Sequence, residues 1–157
     1  MRVEGSFAVA AQRAEVWRTL TDPALMASCI PGCGEIEQLS PTSYRAVVVV
    51  AVGPIKANFN LIVEVTREEP PVRVVSVTRG EEGSRASMVK ADNVLELAEA
   101  ADGTTLVSYA SEVSVTGRLG KFGLGVMKKK AETLGQQFAQ SFRAKIETNS
   151  AQAVSWP

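Results

Sequence analysis

LGKFGLGVMKKKAETLGQQFAQSFRAKIE, residues 119–147, carries apolar side chains at Met127, Ala131, Leu134, Phe138, Phe142 and Ile146, three or four positions apart. That spacing puts them on one stripe of a helix whose opposite side holds Lys128, Lys129, Glu132, Gln136, Gln140 and Arg143. At about 1.5 Å per residue the helix spans roughly 40 Å, enough to lie across a whole sheet. A helix with one apolar stripe needs a surface to cover. The residues before it supply that surface.

Val3, Gly5, Phe7 and Val9 alternate with Arg2, Glu4 and Ser6, the period of a half-buried strand. Val16, Trp17 and Leu20 then follow helical spacing, and Asp22-Pro23 closes that helix and opens a shorter one through Leu25, Met26 and Ile30. From Glu35 onward strands are predicted at 35–39, 44–52, 55–67, 72–79, 87–97 and 105–116. Ser40-Pro41, Gly53-Pro54, Pro70-Pro71, residues 80–83 and Asp102-Gly103 separate them as turns. Seven strands that meander in this way pair antiparallel. In the clearest, Ala57, Phe59, Leu61, Val63 and Val65 point one way and Lys56, Asn58, Asn60, Glu64 and Thr66 the other. Val107, Tyr109, Ser111, Val113 and Val115 repeat the pattern, with a serine inside the inner row. Residues 44–52 are apolar on both faces, so a second cover is expected there.

The fold class that follows is α+β: a curved seven-stranded antiparallel sheet wrapped around the C-terminal helix, with two short helices after the first strand. One domain is expected over residues 1–147, followed by a short tail at 148–157. The inner rows mix Ala57, Ala91 and Ser111 with larger residues, and Gly135 flanks the helix stripe. Glycine inside a helix costs about 1 kcal/mol relative to alanine. Gly135 therefore marks either close approach to the sheet, the preferred reading, or space kept for a ligand.

Composition removes several classes of function. Basic and acidic residues balance at 17 each, which gives no electrostatic footprint for nucleic acid. There is no histidine. Ser-His-Asp and Cys-His nucleophile arrangements, histidine zinc sites and histidine-held haem are thereby excluded. Cys29 and Cys33 are too few for a zinc site or a disulfide scaffold, so neither a metal nor a covalently bound cofactor is expected. The charged start MRVEGSF does not read as a secretory signal, and the longest apolar run, residues 46–52, is strand-sized. A cytoplasmic location is expected.

Several short pieces, taken together, carry a family resemblance. They are Glu4-Gly5-Ser6-Phe7, Val16-Trp17 with Leu20 and Asp22-Pro23, Ile30-Pro31-Gly32-Cys33, Val52-Gly53-Pro54-Ile55-Lys56-Ala57, and Gly117-Arg118-Leu119 before the last helix. In this order and spacing the chain resembles the carbon monoxide dehydrogenase G-subunit (CoxG) family, within the helix-grip superfamily of START-like and polyketide-cyclase-like domains. The resemblance implies a sheet gripping the C-terminal helix around an apolar cavity that takes a quinone or lipid-like ligand. It also implies a partner, CO dehydrogenase or a related molybdenum hydroxylase, and a role in membrane recruitment or quinone coupling at the inner face of the cell membrane. Some members carry a long C-terminal extension with a membrane-binding segment, whereas only residues 148–157 follow the predicted helix here.

The candidate ligand pocket consists of Trp17, Met26, Ile30, Phe59, Leu61, Val63, Tyr109, Phe122, Met127, Leu134 and Phe138. Read from the residues alone they fill a core; with the resemblance they line a cavity. Tyr109, whose hydroxyl needs a partner if buried, is the best placed to orient a polar head group such as a quinone carbonyl. Cys29, Pro31, Gly32 and Cys33, with Gly120 and Gly123, form a candidate gating loop, the plainer reading being a Pro-Gly turn with two small side chains. The glycines before Lys128, Lys129 and Lys130 do not match a phosphate loop. Cations in a helix's first turn oppose its dipole, so the helix is expected to begin near Leu119, the alternative being an anionic surface facing the lysines. Glu64, Asp92, Glu96 and Glu112 are expected on the solvated sheet face, which leaves no catalytic pair. Other functions compatible with the sequence are a small polyketide cyclase or aromatase, a general hydrophobic-ligand carrier, and a protein-binding module or homodimer using the row Val47, Val49 and Ala51.

Overall fold

The computed structural model describes residues 1–83 and 86–154. Its strands are β1 (Arg2–Val9), β2 (Cys33–Ser40), β3 (Ser43–Val52), β4 (Ile55–Glu69), β5 (Arg73–Glu82), β6 (Ser87–Glu99) and β7 (Thr105–Gly117). They form one antiparallel sheet in the order β1-β7-β6-β5-β4-β3-β2. Helices α1 (Arg13–Leu20) and α2 (Pro23–Cys29) stand between β1 and β2, and α3 (Leu124–Val154) follows β7. The predicted α+β architecture is the one observed. The Asp22 carboxylate caps α2 by accepting the Ala24 and Leu25 N–H groups at 3.0 and 3.2 Å, while Pro23 occupies the first turn.

Three boundaries differ from expectation. The last helix starts at Leu124, because Gly120–Phe122 forms a separate 3-10 turn and Gly123, at φ 86°, redirects the chain. Lys128, Lys129 and Lys130 still lie beyond the first turn, where the dipole has faded. The helix also runs past Glu147 to Val154, so the expected tail is helical to that point; residues 155–157 lie outside the described ones. Gly80, expected in a turn, lies inside β5 opposite Leu61, whose side chain occupies the space a Cβ would need. Nor is the outer face of β3 wholly covered, since Val47 is 40% exposed.

Two separate apolar clusters hold the sheet and α3 together. The first joins Phe7 and Val9 of β1, Val16 and Leu20 of α1, Cys29, Leu97, Val107, and Phe142 and Ile146 of α3. Within it the rings of Phe7 and Phe142 meet edge to face at 6.0 Å. The second joins Val52, Ala57, Phe59 and Leu119, with Phe122 and Met127 packed against them. Among the described residues, polar side-chain contacts to the rest of the fold come from the C-terminal half of α3. Arg143 donates to the Ala8 carbonyl at 3.0 Å, Glu147 accepts from the Ala10 N–H at 2.9 Å, and Lys145 donates to Ser28 Oγ at 2.6 Å. The burial of the stripe follows this asymmetry. Phe142 and Ile146 are fully buried, whereas Met127, Ala131, Leu134 and Phe138 are half-buried.

Candidate ligand site between the sheet and the last helix

Between the two clusters the inner face of the sheet changes character. Strand register brings Ser76 of β5 opposite Asn93 of β6, and Asn93 opposite Ser111 of β7. The Asn93 amide nitrogen donates to Thr78 Oγ1 at 3.0 Å and to Ser76 Oγ at 3.3 Å, and its oxygen accepts from Ser111 Oγ at 2.8 Å. All four residues are half-buried, although they lie on the same face as Leu97 and Val107. This middle zone is therefore less completely covered than the apolar clusters on either side of it. The bonding has a direction. Ser76 and Thr78 use their oxygens as acceptors, and their own protons have no acceptor among the described residues. The cluster thus offers hydroxyl donors to whatever occupies the space above it.

Tyr109 borders this zone. It sits directly opposite Gly5, and a Cβ on that glycine would lie 2.5 Å from the phenol oxygen. On the other side a Cβ at Gly135 of α3 would lie 2.6 Å from the same oxygen. The two glycines make room for a ring that spans from sheet to helix, so Gly135 marks close approach. The Tyr109 hydroxyl has no hydrogen-bond partner among the described residues.

The predicted pocket residues divide into three groups. Trp17, Met26, Tyr109 and Phe138 pack on the first cluster, and Phe59, Leu61, Phe122 and Met127 belong to the second or pack against it. Val63 and Leu134 are half-buried and lie in neither, Val63 directly across from Thr78. Ile30 caps the end of α2 and is half-buried. The site is therefore not one continuous lining but a middle zone between two packed ends. Sequence reasoning noticed Ser111 and missed Asn93, Ser76 and Thr78. The missed signal was a polar residue near the centre of the inner rows of β5, β6 and β7.

The candidate gating loop is closely fitted. Gly32, at φ 76°, accepts the Val49 N–H at 2.9 Å, and its backbone lies against the Val49 carbonyl. Cys29 is buried and free, and burial pushes the half-buried Cys33 thiol above its ordinary pKa, the opposite of an activated thiolate. Gly120 presses on the Val115 carbonyl, where a Cβ would come within 2.8 Å, whereas the position at Gly123 is open. Lys128 and Lys129 are exposed and Lys130 is half-buried. The inward carboxylate Glu82 is buried and held by Arg118 through both carboxylate oxygens, with Nε at 3.0 and 2.9 Å. Arg118 keeps it below the ordinary carboxylate range, assisted by Ser87 and opposed by burial. The same loop is tied down by the Leu119 N–H on Ser87 Oγ at 3.1 Å and the Arg118 N–H on the Ala86 carbonyl at 2.8 Å.

Comparison with known proteins agrees with the observed fold. A model of the carbon monoxide dehydrogenase G-subunit (CoxG) family matches residues 5–147. Among solved structures, a conserved protein from Geobacillus kaustophilus is 26% identical, with a TM-score of 0.87 over 94% of this chain and 96% of its own. A START superfamily protein from Mycobacterium smegmatis is 15% identical, with a TM-score of 0.76 over 94% and 97%. Among curated proteins there is no match.

Proposed function

We propose, since this chain belongs to the CoxG family of carbon monoxide dehydrogenase, that it is a non-catalytic accessory of CO dehydrogenase or a related molybdenum hydroxylase and carries a quinone or lipid-like ligand between its sheet and α3. The observation that carries this reading is the polar cluster of Asn93 between two packed cores. A protein that merely fills its interior gains nothing from hydroxyl groups placed there, because each costs desolvation unless paired. A ligand with a carbonyl oxygen pairs them. The Ser76 and Thr78 hydroxyls donate to that oxygen, Tyr109 is placed to donate to a second, and Val63, Leu134 and Phe138 cover the apolar body. A quinone matches this donor set, since its ring oxygens accept hydrogen bonds and its tail is apolar.

The N-terminal half of α3 is the side on which such a ligand enters. Among the described residues it lacks the polar side-chain ties of the C-terminal half, and Gly123 joins it to the preceding 3-10 turn. Leu124 and Val126 are 73% and 48% exposed there, beside Lys128 and Lys129. Apolar tips flanked by cations suit peripheral contact with an anionic membrane surface. No helix among the described residues is long and apolar enough to cross a membrane.

Quenching of intrinsic tryptophan fluorescence by decylubiquinone tests the carrier role. Saturable quenching is expected, and Asn93→Leu weakens it by about tenfold, the equivalent of one hydrogen-bonded group. The melting temperature of that variant is measured alongside, so that weaker quenching is read only on folded protein. Unaltered affinity in a folded Asn93→Leu protein rules the polar cluster out as the ligand site.

A further inference from the structure

A cleft of about 740 Å³ opens on the outer face of the sheet, away from α3. Register fixes its composition. Arg45 of β3 lies opposite Ile62 of β4, Ile62 opposite Arg79 of β5, and Arg79 opposite Lys90 of β6. One row across four strands therefore reads Arg, Ile, Arg, Lys, and Met88 stands in the row beside it. Like charges directly opposite each other on antiparallel strands are destabilising. Neither Arg79 nor Lys90 has an ion pair among the described residues, so nothing there offsets the repulsion. Arg45 has only a long, exposed contact with Glu37 at 3.7 Å. Glu81 also lines the cleft and has an interaction of its own. Within the same cleft Ile62 is 44% exposed and Met88 51%.

We propose that this cleft docks an acidic segment of a partner protein, whose carboxylates meet Arg45, Arg79 and Lys90 while an apolar side chain covers Ile62 and Met88. Charge complementarity selects the occupant, since three cations surround an apolar floor and a docked carboxylate relieves the Arg79–Lys90 repulsion. The shape argues for a protein segment over a bilayer. A membrane is flat and meets protruding residues, whereas these cations sit in a hollow spanning five strands. The proposal does not depend on what occupies the interior.

The probe is a fluorescein-labelled octapeptide of alternating glutamate and leucine, titrated by fluorescence anisotropy. Saturable binding is expected at low salt, weakening toward about 0.15 M as the charges are screened. The double variant Arg79→Gln, Lys90→Gln weakens it by about tenfold while its melting temperature holds or rises, because an opposed like-charge pair is gone. Ile62→Ser weakens it without changing the salt dependence. Decylubiquinone quenching is unaffected by any of these, which separates this proposal from the carrier reading. The proposal is overturned if the peptide does not bind, or binds the variants as well as the native protein. It is equally overturned if Arg79 and Lys90 prove to serve anionic vesicles or self-association in place of the peptide.

Discussion

Tyr109 shows how much one side chain decides here. Its ring lies along Gly5 and its oxygen reaches Gly135, so the two glycines set the gap between sheet and helix. Gly135→Ala would ordinarily gain about 1 kcal/mol of helix propensity. Here the new methyl meets the phenol oxygen, which has to shift, at an overpacking cost of about 1 to 3 kcal/mol. The expected outcome is a lower melting temperature, reversed when Tyr109→Phe removes the oxygen, and a double-mutant cycle of thermal unfolding measures that coupling. Gly135 was legible in the sequence as a close approach, but its neighbour was not, because periodicity gives a face and not a partner. The Asn93 cluster was harder to read. In β5 the inward residues are Ser76 and Thr78 while Val75 and Val77 face outward, so a hydrophobic pattern read alone turns that strand over. Only its register with β6 restores the correct face.

At the scale of elements, the turn chemistry set strand number and order, since each Ser-Pro, Gly-Pro, Pro-Pro or Asp-Gly break separates neighbours in a meander. The start of α3 was placed too early because moving it to Leu119 took the three lysines out of the first turn. A start at Leu124 already does so and leaves Leu119 and Phe122 to serve the second cluster from around a 3-10 turn. What anchors that turn is the Glu82–Arg118 pair, joining the end of β5 to the connection before α3. The sign of its pH dependence follows from the lowered Glu82 pKa. A carboxylate depressed by the fold contributes stability above its ordinary value of 4.5, and the contribution is lost as pH falls through the lowered folded value. Arg118→Ala removes the main cause of the depression and leaves burial to push Glu82 upward. Thermal melts between about pH 3 and 7 should therefore show the variant far below the native protein at neutral pH and the two converging in acid. Parallel curves would show that the pair contributes nothing to anchoring.

For the whole molecule, the sequence indicated a sheet around a helix but not whether the space between them is filled. The structure shows two packed ends and, between them, a half-buried polar middle. That division comes from long-range geometry: α3 is tied by polar contacts along its C-terminal half and meets the second cluster through Met127 near its N-terminus. The position of the outer cleft was equally illegible, because Arg45, Arg79 and Lys90 are far apart in sequence and meet only through register. The central claim is that the space between sheet and α3 holds an apolar, carbonyl-bearing molecule. Native mass spectrometry of the protein purified from its own host tests it most directly. The account predicts an added mass, identified after solvent extraction as a quinone or similar lipid and diminished in Asn93→Leu. A protein that emerges with no bound molecule and takes up no quinone when supplied with it would contradict the account.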